Sequence, residues 1–146
     1  MNGLSPRLGA VVDALPLRPG LRVLEVGGAP GAAAREVAKR VGPDGHVLVL
    51  DRSAKGIALT REGCRAELEA GILSTLCAPV EDFELPPATA PFDIAFACRV
   101  GALDGRHPQL YEHALACIGA ALVPGGTLYL DTGDPLTSIA MAERQG

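Results

Sequence analysis

The residues best suited to chemistry lie in Val23-Leu24-Glu25-Val26-Gly27-Gly28-Ala29-Pro30-Gly31, where an acid sits inside the end of an apolar run and Gly27 and Gly31 frame the turn that follows. Glycines in such a turn let the backbone take positive φ and let a ligand approach closely, and a helix starting beyond them presents free N–H groups. Asp51 closes the next apolar run, 20 residues after Gly31. At that spacing an acid commonly holds both hydroxyls of a ribose. Together the two features point to an adenosine-type ligand; a tight turn with no ligand would account for the glycines alone. A phosphate-binding loop would need Gly-Lys-Ser/Thr where Ala32 stands, and no lysine follows in the turn, so nucleotide hydrolysis is excluded. A dinucleotide fingerprint begun at Gly27 meets Ala29 and Ala32. Glu25 would also repel a pyrophosphate while suiting a ligand with an ammonium group, which disfavours an NAD(P)-dependent oxidoreductase.

The elements that must position these residues are legible as alternating periods. Residues 21–26, 46–51, 72–77, 92–97 and 126–131 are near-continuous apolar runs, as expected of about five parallel strands covered on both faces. Between them, Ala34, Val37, Ala38 and Val41 recur at helical spacing, as do Leu110, Ala114, Cys117, Ile118 and Ala121. Pro30 suits a first helical turn, Gly42-Pro43 ends that helix, Ser53 is an N-cap, and Pro124-Gly125-Gly126 turns the chain into the fifth run. This alternation predicts an α/β fold with a doubly wound, mostly parallel sheet. In such a sheet ligands bind beyond the carboxyl ends of the strands, where the two sequence features above converge.

Composition narrows the partners. At 146 residues the chain fits one domain, with an N-terminal helix and lead-in over 1–20, a core over 21–131 and a short tail over 132–146. Thirteen Lys+Arg against 17 Asp+Glu, and only five aromatic residues, offer neither a basic footprint for phosphate backbones nor stacking platforms for bases, so no nucleic acid is expected as partner. The longest apolar stretch, Ala114 to Val123, is too short to span a bilayer, and Asp13 and Pro16 break up a signal-peptide core, so no membrane is expected and the cytoplasm is the expected location. Cys64, Cys77, Cys98 and Cys117 form no CxxC pair and have no local histidine, so no metal is expected.

These residues resemble the class I S-adenosylmethionine-dependent methyltransferases, from about Leu4 to Pro135. The family's first motif, an acid followed by GxGxG, is similar to Glu25-Val26-Gly27-Gly28-Ala29-Pro30-Gly31. Asp51 matches its second-strand acid, Pro79-Val80-Glu81-Asp82 its third motif, residues 91–97 its fourth strand, and Leu122-Val123-Pro124-Gly125-Gly126 its LxPGG turn. The resemblance implies S-adenosyl-L-methionine as methyl donor. Glu25 would lie near its ammonium end and Gly27, Gly28, Ala29 and Gly31 beneath it. Asp51, followed by Arg52, would hold the ribose, and Val80 with Glu81 or Asp82 the adenine. Cys98 and Arg99 would face the donor at the end of the fourth strand.

Two departures from the family pattern carry expectations. Ala29 replaces the middle glycine; at positive φ it would be strained by about 1 kcal/mol, enough to weaken donor binding about tenfold. Only residues 132–146 follow the fifth run, so the family's last strands are expected to be missing and strand five to be an exposed edge, covered in a homodimer or explained by a shortened chain. Methyl transfer is an in-line displacement that needs a base only for some nucleophiles. Asp104 and His107 in the loop after the fourth strand are the candidate bases, with Asx-turn and helix-start roles as their structural alternatives, and Arg99 or Arg106 could anchor a carboxylate. His46 and His113 read as structural. The expected acceptor is a small molecule, and the competing reading is a binding or regulatory module without turnover.

Overall fold

The computed structural model describes residues 4–141, so the first three residues of the lead-in and the last five of the expected tail lie outside the described residues. Ser5 caps the first helix by accepting a hydrogen bond from the Leu8 N–H, and α1 runs Pro6–Ala14. β1 (Arg22–Val26), α2 (Ala32–Val41) and β2 (His46–Asp51) follow, then α3 (Ala54–Gly63), α4 (Arg65–Glu69), β3 (Leu73–Cys77) and β4 (Phe92–Ala97). A 3-10 turn at Pro108–Leu110 leads into α5 (Tyr111–Ala121), β5 (Leu122–Leu130) and β6 (Thr137–Ala140).

The six strands form one sheet in the order β3-β2-β1-β4-β5-β6. β1 to β5 are parallel, and β6 runs antiparallel to β5. Side-chain alternation feeds two apolar layers. Leu24, Val26, Leu48, Leu50, Ala95 and Leu128 pack with Ala114, Ile118 and Ala121 of α5. Val23, Val47, Val49, Ile94 and Phe96 pack on the opposite face with α1 and α2. Burial on both faces is why the strands read as continuous apolar runs. No helix lies between β3 and β4; Val80 and Phe83 fill that part of the α5 layer instead. Among the described residues no helix is long and apolar enough to cross a membrane.

Two expectations about the C-terminal half are corrected. Strand five is not an edge, because β6 pairs with it from Thr127↔Ala140 to Leu130↔Thr137, so that reason for a homodimer falls away. A four-residue strand of Thr, Ser, Ile and Ala following Gly133 and Pro135 has too short a period to stand out in sequence. Pro124-Gly125-Gly126 also does not precede β5 but lies within it. Phe92 pairs with Leu122 and Ile94 with Thr127, so β5 bulges between them, with Gly125 at φ +78. Helices α3 and α4 went unread beyond the Ser53 cap, since α3 buries only Ile57 and Thr60 and α4 buries nothing.

Candidate functional site

The strand order reverses between β1 and β4, and the crevice this opens lies past their carboxyl ends. Glu25 sits at that point in the sheet, in register with Val49 on one side and Phe96 on the other. It is 5% exposed, and its Oε1 is buried without a hydrogen-bond partner. Burial, and secondarily the charge of Asp51, push its carboxyl up to about 8. The glycine turn closes directly over it. A Cβ on Gly28 would lie 2.5 Å from Glu25 Cδ and 2.9 Å from Oε1, so only glycine lets the turn settle on this carboxyl. Gly27, at φ +70, donates its N–H to Leu50 O at 2.6 Å, and a Cβ there would come within 2.9 Å of Val100 Cγ2. Gly31, at φ +101, is the N-cap of α2 and packs on Cys64 and Thr60.

Asp51 ties the turn to the next helix. Its Oδ2 accepts from the Ala29 N–H at 3.1 Å and its Oδ1 from the Ser53 N–H at 2.9 Å. Ser53 in turn caps α3 by accepting from Gly56 N–H. The strain expected at Ala29 is absent, because among the described residues the non-glycine positions with positive φ are Ala88 and Arg99. The methyl of Ala29 turns toward α3, 2.8 Å from where a Cβ on Gly56 would stand, so Gly56 makes the room that Ala29 takes.

A cleft of about 270 Å³ adjoins the turn. Its floor is Val26, Gly27 and Leu50, one wall is Asp51, Arg52, Val80 and Glu81, and the other is the loop after β4, with Arg99, Val100, Arg106 and His107. Gly27, Asp51, Arg52, Val80, Glu81, Arg99 and His107, all singled out in sequence, are thus brought together. Glu25, Gly28, Ala29 and Gly31 do not line the cleft; Glu25 lies under Gly28, and Ala29 and Gly31 face α3 and α4. Asp82 also falls outside the lining, exposed on a turn in which its N–H donates to Pro79 O, which leaves Glu81 as the acid facing the cleft.

The loop after β4 separates its candidates. Asp104 is outside the lining and grips Arg106 Nε with both carboxylate oxygens at 3.0 Å. That hydrogen bond holds its carboxyl below the usual carboxylate range, which makes it a poor proton acceptor. His107 lines the cleft over Gly101, where a Cβ would lie 2.5 Å from its Cδ2. It also starts the 3-10 turn, its C=O accepting from Leu110 N–H. Cys98 packs into the layer of α1 and α2 and does not line the cleft, so it is not placed against the donor as the resemblance implied; burial pushes its thiol up to about 12. His46 bridges Gly71 O and Ser74 Oγ at the far end of the sheet, a structural role.

Asp131, just past β5, was not among the sequence candidates. Its Oδ2 meets Arg7 Nη1 of α1 at 2.7 Å, and its Oδ1 accepts from the Arg99 N–H at 3.3 Å. The signal was present: an acid closing a buried strand, as Glu25 and Asp51 do. Among the described residues no group of three or more His, Cys, Asp and Glu gathers as a metal site would require.

Comparison with known proteins agrees with this geometry. Residues 23–126 match the family described as methyltransferase domain. The chain is 32% identical over 117 residues to ribosomal RNA large subunit methyltransferase E of Sorangium cellulosum, covering 75% of this chain and 51% of that protein. It is 34% identical over 115 residues to the ubiquinone/menaquinone biosynthesis C-methyltransferase UbiE of Bordetella parapertussis, covering 77% and 40%. The crystal structure of TrmN from Thermus thermophilus superposes with a TM-score of 0.64 at 31% identity, over 84% of this chain and 35% of that one. The chain therefore spans about half the length, or less, of the relatives it matches.

Proposed function

Because this chain belongs to the class I S-adenosylmethionine-dependent methyltransferase domains, we propose that it binds S-adenosylmethionine past the ends of β1, β2 and β3 and methylates a small-molecule acceptor. The observation that carries the donor assignment is the cleft at the ends of β1 and β2, where Gly27 of the glycine turn and the Asp51 carboxylate face one space. Glu25 lies beneath this turn with an orphaned oxygen, and the donor's ammonium seated on the turn would favour its charged form. Asp51 offers its remaining lone pairs to ribose hydroxyls while its backbone contacts keep it fixed. Val80 and Glu81 form the wall for the adenine, and Gly27, the residue of the turn that lines the cleft, lets the ligand approach the main chain. When bound, the donor supplies an electrophilic methyl group on a sulfonium.

The chain's own contribution to transfer is placement. The Val100–His107 loop forms the opposite wall and presents the acceptor, with His107 as proton acceptor when the nucleophile carries a proton. A small acceptor is favoured over a nucleic acid by the net charge of -4 and the scarcity of aromatic residues, although one of the similar proteins is named as a ribosomal RNA methyltransferase. The non-catalytic reading loses one of its supports, since Ala29 is unstrained. Isothermal titration with S-adenosylmethionine and S-adenosylhomocysteine tests the assignment. Micromolar binding that Asp51→Ala weakens at least about tenfold is expected. A folded protein that binds neither ligand at millimolar concentration refutes it.

A further inference from the structure

We propose that the Arg99 guanidinium is the receptor for an anionic group, a carboxylate or phosphate, on the methyl acceptor, with Asp131 and Arg106 as the positioning residues that set its backbone. This rests on the methyltransferase reading above and assigns the charge of its second substrate.

The first observation is the cleft's charge inventory. Asp51, Glu81 and Arg52 stand on one wall, two acids to one cation, and the Arg52 side chain makes no hydrogen bond or salt bridge among the described residues. On the facing wall Arg106 is matched by Asp104, which it meets at 3.0 Å. The remaining cation of that wall is Arg99, whose guanidinium makes no hydrogen bond or salt bridge among the described residues. Its neighbouring acid, Asp131, is already paired with Arg7 and reaches Arg99 only through the backbone. An arginine left unmatched beside a cleft is suited to a planar or tetrahedral anion, which its fork of donors can grip at two points.

The second observation is the backbone. Arg99 has φ +56, a left-handed conformation that a non-glycine side chain rarely adopts. It is secured from both sides: its N–H donates to Asp131 Oδ1 at 3.3 Å, and its C=O accepts from Arg106 Nη2 at 2.7 Å. Two side chains from different segments thus hold one residue in an unfavourable conformation at the exit of β4. Strain maintained in this way beside a cleft is the pattern of a residue placed for ligand contact.

The competing role is contact with the donor's own carboxylate, and the test separates the two. The full chain, saturated with S-adenosylhomocysteine, is titrated with benzoate, phenyl phosphate and the neutral benzamide, for wild type, Arg99→Gly and Arg99→Lys. Glycine accepts the left-handed backbone without cost, so Arg99→Gly removes the guanidinium and leaves the loop its conformation. At least one anion is expected to bind about tenfold tighter than benzamide, and which one does separates carboxylate from phosphate recognition. Arg99→Gly should abolish that preference, and Arg99→Lys should restore part of it. Asp131→Ala should lower the preference as well, and should add nothing further in the Arg99→Gly background. A preference that survives Arg99→Gly, or equal or absent binding of the three probes, overturns the proposal. So does an equal loss of S-adenosylhomocysteine affinity, which would assign Arg99 to the donor. A wild-type protein that does not bind S-adenosylhomocysteine overturns the donor assignment itself, a result distinct from a loaded protein indifferent to anions.

Discussion

Replacing Glu25 with glutamine keeps the side chain's shape and removes its ability to ionise, which makes the cost of this buried carboxyl measurable. Its pKa lies near 4.5 when exposed and is pushed up to about 8 by burial and, less, by Asp51. Below the lower value both folded and unfolded chains hold the proton and the group has no effect on stability. Between the two, the folded state keeps a proton that the unfolded state has released, so stability falls as pH rises; above about 8 the full cost remains. At about 1.4 kcal/mol per pH unit over that window the ceiling is about 5 kcal/mol, comparable to the whole net stability of a small domain. Relaxation around the charged form reduces it, and a fall of about 2 kcal/mol or more between pH 5 and pH 9 is expected. The chain has no tryptophan, so urea unfolding is followed by far-ultraviolet circular dichroism at pH 5, 7 and 9. Glu25→Gln should show a flatter pH profile, whatever its absolute stability. Donor binding should also release a proton near neutral pH, seen as a dependence of the binding heat on buffer ionisation enthalpy, because an ammonium beside Glu25 favours its charged form. Parallel pH profiles for wild type and Glu25→Gln would refute the reasoning.

Three further outcomes follow from the same geometry. Gly28→Ala should destabilise the protein by about 1–3 kcal/mol in urea unfolding, because the new methyl meets the Glu25 carboxyl at 2.5 Å. Asp104→Asn should leave the melting temperature nearly unchanged and, with any acceptor that is turned over, lower kcat less than about tenfold. A general base would cost about a hundredfold or more on removal, and a larger loss would restore Asp104 as that base. In timed alkylation with iodoacetamide at pH 8, mass mapping should find Cys77 modified before Cys64 and Cys98. Cys77 is exposed, whereas burial pushes the Cys64 thiol to about 11 and the Cys98 thiol to about 12.

How much of this was legible in the sequence depended on how local the determining physics is. The parallel strands, α2, α5 and the cap at Ser53 follow from periodicity and capping chemistry, which act within a few residues. The same holds for Glu25 and Asp51, since an acid at the end of a buried strand is conspicuous by its cost. β6 was not legible, because a four-residue strand is defined by its partner β5 rather than by its own pattern. The facing of Glu81 rather than Asp82 toward the cleft, and the pairing of Asp104 with Arg106, depend on side-chain directions that spacing does not specify. Ala29 shows the difference most plainly. Its type suggested a strained and weakened ligand turn, and the outcome was set by Gly56, a residue 27 positions later whose missing side chain receives the Ala29 methyl. Arg99 depends on longer range still: its left-handed backbone is secured by Asp131, which is itself paired with Arg7. The sequence alone determined which strands are buried and which acids close them, because burial and periodicity are local. Tertiary structure alone decided which charges remain unmatched around the cleft, because matching depends on contacts between segments more than 100 residues apart, as in Arg7 and Asp131.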